Sequence, residues 1–200
     1  MMDSSPPKLI LASTSPYRRR LLERLQLPFS CLPPEVEETP LSDERPAALA
    51  LRLASEKARA VSRSFPAALV IGSDQVAALD GDCLGKPGTT ANACGQLRAC
   101  SGRTVHFHTA VSLARGGQEV ELACIDTQVS FRSLTDAQIA DYVEREQPLN
   151  CAGSFRWEAL GIALFTSLKS TDPTALEGLP LIETINMLQR QGISIFNTVS

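Results

Sequence analysis

The stretch Ala68–Leu79 (A-L-V-I-G-S-D-Q-V-A-A-L) constrains the fold more than any other part of the chain. Its start is fully apolar, and the run reads as one strand at a central position in a sheet. Such a strand must be covered by other elements, and the flanking sequence supplies them in alternation. Lys8–Ala12 is a short apolar run that reads as a buried strand. Ser15 and Pro16 form an N-cap followed by Pro at N1, opening a helix over Tyr17–Leu25. Pro28–Leu32 suggests a second strand, and a Pro- and Glu-rich loop leads to a long helix over about Arg45 to Arg63.

Beyond the Asp80-Gly81 turn, Thr90–Cys100 reads as a helix. Thr104–Ala114 and Glu119–Arg132 read as strands joined at Arg115-Gly116-Gly117-Gln118, a hairpin. Thr135 and Gln138 form a capping box for a helix to Arg145. Gly161–Leu168 reads as a strand, and Pro180 at N1 opens a last helix to Arg190. The class is α/β with a mixed central sheet and flanking helices. No linker divides the 200 residues, so one domain is expected, with residues 82–147 as a second lobe facing a cleft.

Charge and targeting signals narrow the function. With 19 basic and 22 acidic residues the net charge is -3, which leaves no basic field for nucleic acid. Any phosphate must be held by a few placed cations. The short polar N-terminus lacks a signal-peptide pattern. No apolar run approaches the roughly 18 residues of a membrane span. The expectation is a cytoplasmic protein. Six cysteines without a C-x-x-C pair suit buried free thiols, not zinc or a disulfide framework. His106 and His108 share one strand face and read as half-exposed residues, with no Cys, Asp or Glu beside them in sequence.

Three places carry polar residues against the pattern. The turn Ser13-Thr14-Ser15-Pro16-Tyr17-Arg18 ends a strand and starts a helix, where backbone N–H groups can bind an anion. A plain capped helix with solvated arginines fits the same residues. Lys57 falls on the apolar face of its helix, between Ala50 and Leu53, where it must snorkel, pair or point into a cleft. Asp74 sits inside the central strand and needs a cation, N–H donors or a metal, unless that strand lies at an edge. Nearby Gly72 suggests close backbone approach. Gly85-Lys86-Pro87 follows, and its spacing is not that of a Walker A loop. With the acidic loop around Glu35, Glu37 and Glu38, this set suits a polyphosphate and a divalent metal.

These residues resemble the Maf family of nucleotide pyrophosphatases. The matching pieces run in order along nearly the whole chain: Leu11–Arg19, Glu38-Thr39-Pro40, Glu56-Lys57-Ala58, Gly72–Val76, Gly85-Lys86-Pro87, Asp141-Tyr142-Val143 and Gly178–Leu181. The resemblance implies an α/β fold with a cleft, similar to that of inosine-triphosphate pyrophosphatases. It also implies cleavage of a nucleoside triphosphate between its α and β phosphates with a divalent metal cation of the Mg2+ or Mn2+ type. A homodimer is compatible with it. Carried over, Asp74 accepts the proton of the attacking water or ligates metal beside it, Glu38 helps bind metal, and Ser13, Arg18, Lys57 and Lys86 hold the triphosphate.

Tyr17, Gln75 and Glu158 resemble the branch of that family acting on 7-methyl-GTP, where these positions carry an aromatic, Gln and Glu. That branch usually has Trp in place of Tyr17, so Trp157 is a second candidate to stack on the base. A methylated guanine is cationic, which suits an aromatic face and a carboxylate. The rival expectations are a dTTP/UTP pyrophosphatase and a nucleotide-binding regulator of septation.

Overall fold

A computed structural model describes residues 7–196; the reading of the N-terminus rests largely on residues outside that range. In chain order the elements are β1 (Leu9–Ala12), α1 (Pro16–Glu23), β2 (Phe29–Leu32), α2 (Pro46–Ser64), β3 (Leu69–Leu79) and β4 (Asp82–Leu84). There follow α3 (Thr90–Cys100), β5 (Thr104–Arg115), β6 (Gln118–Phe131), α4 (Asp136–Glu146), β7 (Phe165–Lys169) and α5 (Leu181–Arg190). Short 3-10 turns occupy Ala152–Ser154, Leu160–Leu164 and Pro173–Glu177.

The strands form one mixed sheet in the order β2-β1-β3-β5-β6-β7, with β4 also against β3. β1 runs parallel to both neighbours, and all other pairings are antiparallel. The class is the α/β architecture expected. Local chemistry accounts for the elements: the Ser15 hydroxyl accepts from the Arg18 amide ahead of α1. Thr135 and Gln138 form both halves of their capping box. Gly116 and Gly117 take the left-handed conformations of a two-residue hairpin turn, at φ 57° and 79°.

One detail of the sheet makes the site. β1 pairs with β3 only along Leu69–Ile71, and β4 pairs with it only along Ala77–Leu79. Between them, residues 72–76 of β3 have no ladder partner on that edge. Asp74 and Gln75 lie in this gap. Above it α2 approaches unusually closely, because a Cβ on Gly72 would stand 2.3 Å from the Ala54 carbonyl oxygen and 2.6 Å from the Ala58 nitrogen. Only glycine admits that contact.

The apolar core is distributed around this gap. One cluster joins Leu97 of α3, Ile139 and Tyr142 of α4, and Phe107 of β5 with Phe155. Another joins Leu21 and Leu22 of α1 to Leu11, Ile71 and Leu188. Each such fully buried side chain contributes about 1.5–3 kcal/mol.

Several expectations need correction. β4 was not predicted; it is three residues long, with Asp82 and Cys83 exposed, too short to show a period. The strand expected over Gly161–Leu168 begins only at Phe165. The chain around Gly161 instead folds onto Arg156, whose carbonyl oxygen would lie 2.1 Å from a Cβ at Gly161. Pro180 is the N-cap of α5, not its first residue. The six cysteines are free, but Cys83 is exposed and only Cys100 is fully buried. No helix among the described residues is long and apolar enough to cross a membrane.

Candidate active site

Lys57 projects from the apolar face of α2 and is 4% exposed. Its ammonium does not snorkel. It donates to Oδ1 of Asp74 at 2.6 Å and lies 2.6 Å from Oε1 of Glu38. Asp74 is itself buried, so the pair has little solvent to compete with it. Burial pushes the Glu38 carboxyl up. The hydrogen bond and charge of Lys57, with the charges of Lys86 and Arg18, overcome that effect and leave it below its ordinary value.

Arg18, in the first turn of α1, joins this triad to a neighbouring cleft. Burial lowers its guanidinium from the ordinary value, while the charges of Asp74 and Glu38 act to raise it. Its Nε donates to the Gly178 carbonyl at 2.8 Å, which also accepts from the Ser73 hydroxyl at 2.9 Å. Gly178 adopts φ 102°, a conformation that favours glycine.

The cleft has a volume of about 360 Å³ and is lined by Tyr17, Arg18, Gln75, Lys86, Trp157 and Glu158 among others. These six residues come from four separate stretches of sequence and are gathered around one space. The Gln75 amide nitrogen donates to Thr109 Oγ1 and to the carbonyls of Ala175 and Leu176, all within 3.1 Å. Its side-chain carbonyl has no partner among the described residues and is the atom left for a ligand. Lys86 and Glu158 are exposed on the rim. Trp157 packs against the core cluster around Phe155. Ser13 stands apart from the lining: its buried hydroxyl accepts from the Ser15 amide.

A larger hollow of about 870 Å³ lies between the start of α2 and the His106–His108 strand, lined by charges of both signs. It holds none of the phosphate-binding candidates, so its size does not make it the site. The two histidines are half-buried strand residues, as expected, but an acidic neighbour reaches them from another strand. Asp126 on β6 faces both histidines, 3.1 Å from His106 Nδ1 and 3.6 Å from His108 Nδ1. Strand pairing set it opposite His108, which sequence proximity could not show.

Among the described residues no cluster of three or more His, Cys, Asp or Glu side chains is set to hold a metal. Glu38 and Asp74 nevertheless converge on one nitrogen. Two carboxylates completed by phosphate or water oxygens is the donor set that a hard divalent cation accepts, so the residues fit such an ion.

Sequence reasoning missed the Gly178 carbonyl, Thr109 and Arg156. Gly178 belongs to a noted motif but carried no chemistry of its own. Thr109 and Arg156 gave no local signal, since the partners that bring them to the cleft, the Ala175 carbonyl and the Tyr17 hydroxyl, are 66 and 139 residues away.

The family model described as Maf-like protein matches residues 8–191 of this chain. A relative from Xanthomonas oryzae pv. oryzae named 7-methyl-GTP pyrophosphatase is 59% identical over 190 residues, covering 94% of this chain and 99% of its own. Relatives with the same name from Aromatoleum aromaticum and Bordetella avium are 58% and 54% identical. They cover 93% and 94% of this chain, and 96% and 94% of their own lengths. A solved nucleoside-triphosphatase / dITP/XTP pyrophosphatase from Mycobacterium abscessus superposes at a TM-score of 0.42. That match has 22% identity over 64% of this chain and 75% of that one, a likeness too loose to carry weight.

Proposed function

The chain belongs to the Maf family, and on that premise we propose that it hydrolyses 7-methyl-GTP to 7-methyl-GMP and pyrophosphate. The observation that carries the substrate is the gathering of Tyr17, Gln75 and Glu158 in one cleft with Arg18 and Lys86. Cations meet the polyphosphate, and an aromatic face, an amide carbonyl and a carboxylate meet the base. Guanine presents N1–H and N2–H donors that a carboxylate accepts together. Methylation makes the base cationic, which strengthens both stacking and the attraction to Glu158.

Phosphoryl transfer needs positioning and charge neutralisation more than covalent help. Lys57 fixes Oδ1 of Asp74, and Oδ2, which has no hydrogen-bond partner among the described residues, takes a proton from water. The water oxygen bonds to the α-phosphorus, the bond from that phosphorus to the α–β bridging oxygen breaks, and pyrophosphate leaves with the bridging oxygen. Arg18, Lys86 and Lys57 hold the phosphate oxygens, while Ser13, whose hydroxyl accepts from the Ser15 amide, shapes the turn that leads into α1. Glu38 and Asp74 would hold a divalent cation of the Mg2+ or Mn2+ type. When bound, it neutralises polyphosphate charge. A cytoplasmic setting belongs to the same proposal, and the six free thiols suit a reducing compartment.

The test is kcat/KM for 7-methyl-GTP, GTP, dTTP and UTP, with product analysis, in wild type and Glu158→Gln. A charge-assisted hydrogen bond is worth about 1.5–3 kcal/mol, so the substitution should erode the preference for 7-methyl-GTP by roughly one to two decades while general hydrolysis falls less. Wild-type preference for dTTP or UTP would refute the substrate assignment.

A further inference from the structure

Arg156 has no role in the reaction above, yet it connects the two walls of the cleft. Its Nη1 donates to the Tyr17 hydroxyl at 3.4 Å, on α1. Its Nη2 donates to Glu146 Oε2 at 2.9 Å, on α4. Its backbone amide donates to the Tyr142 hydroxyl at 3.0 Å. The other oxygen of Glu146 accepts from the Leu160 amide at 3.3 Å. The segment carrying Trp157 and Glu158 is therefore clamped at both ends onto α4, and Gly161, folded against Arg156, closes the loop.

We propose that Glu146–Arg156–Tyr17 is a positioning strut that selects the base: it fixes the Tyr17 ring as the stacking face and sets its spacing from Glu158. The inference rests on the substrate reading above. Two observations support it. Tyr17 can be tied in this way because a phenol oxygen accepts a hydrogen bond from a guanidinium. Trp157, the other aromatic at the cleft, packs against the core and buries its Nε1 without a partner, which makes it a wall and not a platform. Charge follows the same logic. A cationic guanidinium beside the base would repel a cationic ligand, but Glu146 neutralises it across a partly buried ion pair. Glu158 is then left as the uncompensated charge at the base end.

The test is a double-mutant cycle of Tyr17→Phe and Arg156→Met, with Arg156→Lys as a milder variant should the Met protein fold poorly. KM and kcat are read separately for 7-methyl-GTP and GTP, beside thermal unfolding. Each single substitution should raise KM for 7-methyl-GTP about tenfold, the scale of one charge-assisted hydrogen bond, and change kcat little. The double variant should be no worse than Arg156→Met alone, since both substitutions remove the Arg156–Tyr17 bond and Arg156→Met removes the bonds to Glu146 besides. Glu146→Gln should weaken 7-methyl-GTP more than GTP. Independent, multiplicative effects of the two substitutions, or equal losses for both substrates, overturn the strut. If wild type does not prefer 7-methyl-GTP, the substrate reading fails by itself, and the coupling is then read on whichever triphosphate is cleaved.

Discussion

The ammonium of Lys57 lies 2.6 Å from Oδ1 of Asp74, and both groups are buried. A helix and a strand meet at this bond, and it depends on a third residue, Gly72, which lets their backbones approach. Structure and chemistry are thus joined at one contact, and substitutions around it separate their contributions.

Asp74→Asn keeps the shape of the side chain and still accepts from Lys57, but it cannot take a proton from water. Turnover should fall about 100- to 10,000-fold with the unfolding temperature nearly unchanged. Steady-state kinetics beside thermal unfolding check this; near-normal hydrolysis by folded protein would sink the general-base role.

Lys57→Ala leaves the buried Asp74 carboxylate facing Glu38 with no cation between them. Stability should drop by about 1–3 kcal/mol, the cost of a stranded buried acceptor. The exposure of Glu38, 57% for its side chain, holds the loss to that range. Adding Asp74→Asn should restore part of the stability and none of the activity. Chemical denaturation of the single and double variants measures both.

Gly72→Ala places a methyl group 2.3 Å from the Ala54 carbonyl oxygen. The obstacle is backbone, so α2 must shift, at about 1–3 kcal/mol for overpacking, and Lys57 moves with it. Activity should fall together with stability. Gly95→Ala is the control: nothing lies within 4 Å of its Cβ position, and Ala in a helix interior should stabilise by about 0.5–1 kcal/mol. Equal behaviour of the two variants would contradict the close-approach argument.

Arg52 hydrogen-bonds Glu44 at 2.7 Å and, with the Leu41 amide, lowers its carboxyl to about 2. A depressed folded value stabilises the protein above the unfolded value, and the benefit disappears as pH falls towards the folded one. Wild type should therefore lose stability between about pH 4.5 and pH 2. Glu44→Gln should flatten that part of the profile, as thermal unfolding against pH would show. An unchanged slope would mean that this pair does not contribute.

Elements whose causes are local could be read from the order of residues alone. Ser15-Pro16, the Thr135–Gln138 capping box and the Gly116-Gly117 turn act within a few residues, so their helices and hairpin were legible. The same order showed that Lys57 and Asp74 were anomalous, because a charge on an apolar face or in a central strand breaks the expected period. How those anomalies resolve depends on the packing of distant segments. Lys57 had three open outcomes until the close packing of α2 on β3 at Gly72 placed its ammonium against Asp74 and Glu38. The pairing of Asp126 with the histidines, the short β4 and the reach of Arg156 to Tyr17 were not legible for the same reason. Each depends on strand register or on contacts between distant segments, and such long-range geometry is set by the packing of the whole chain.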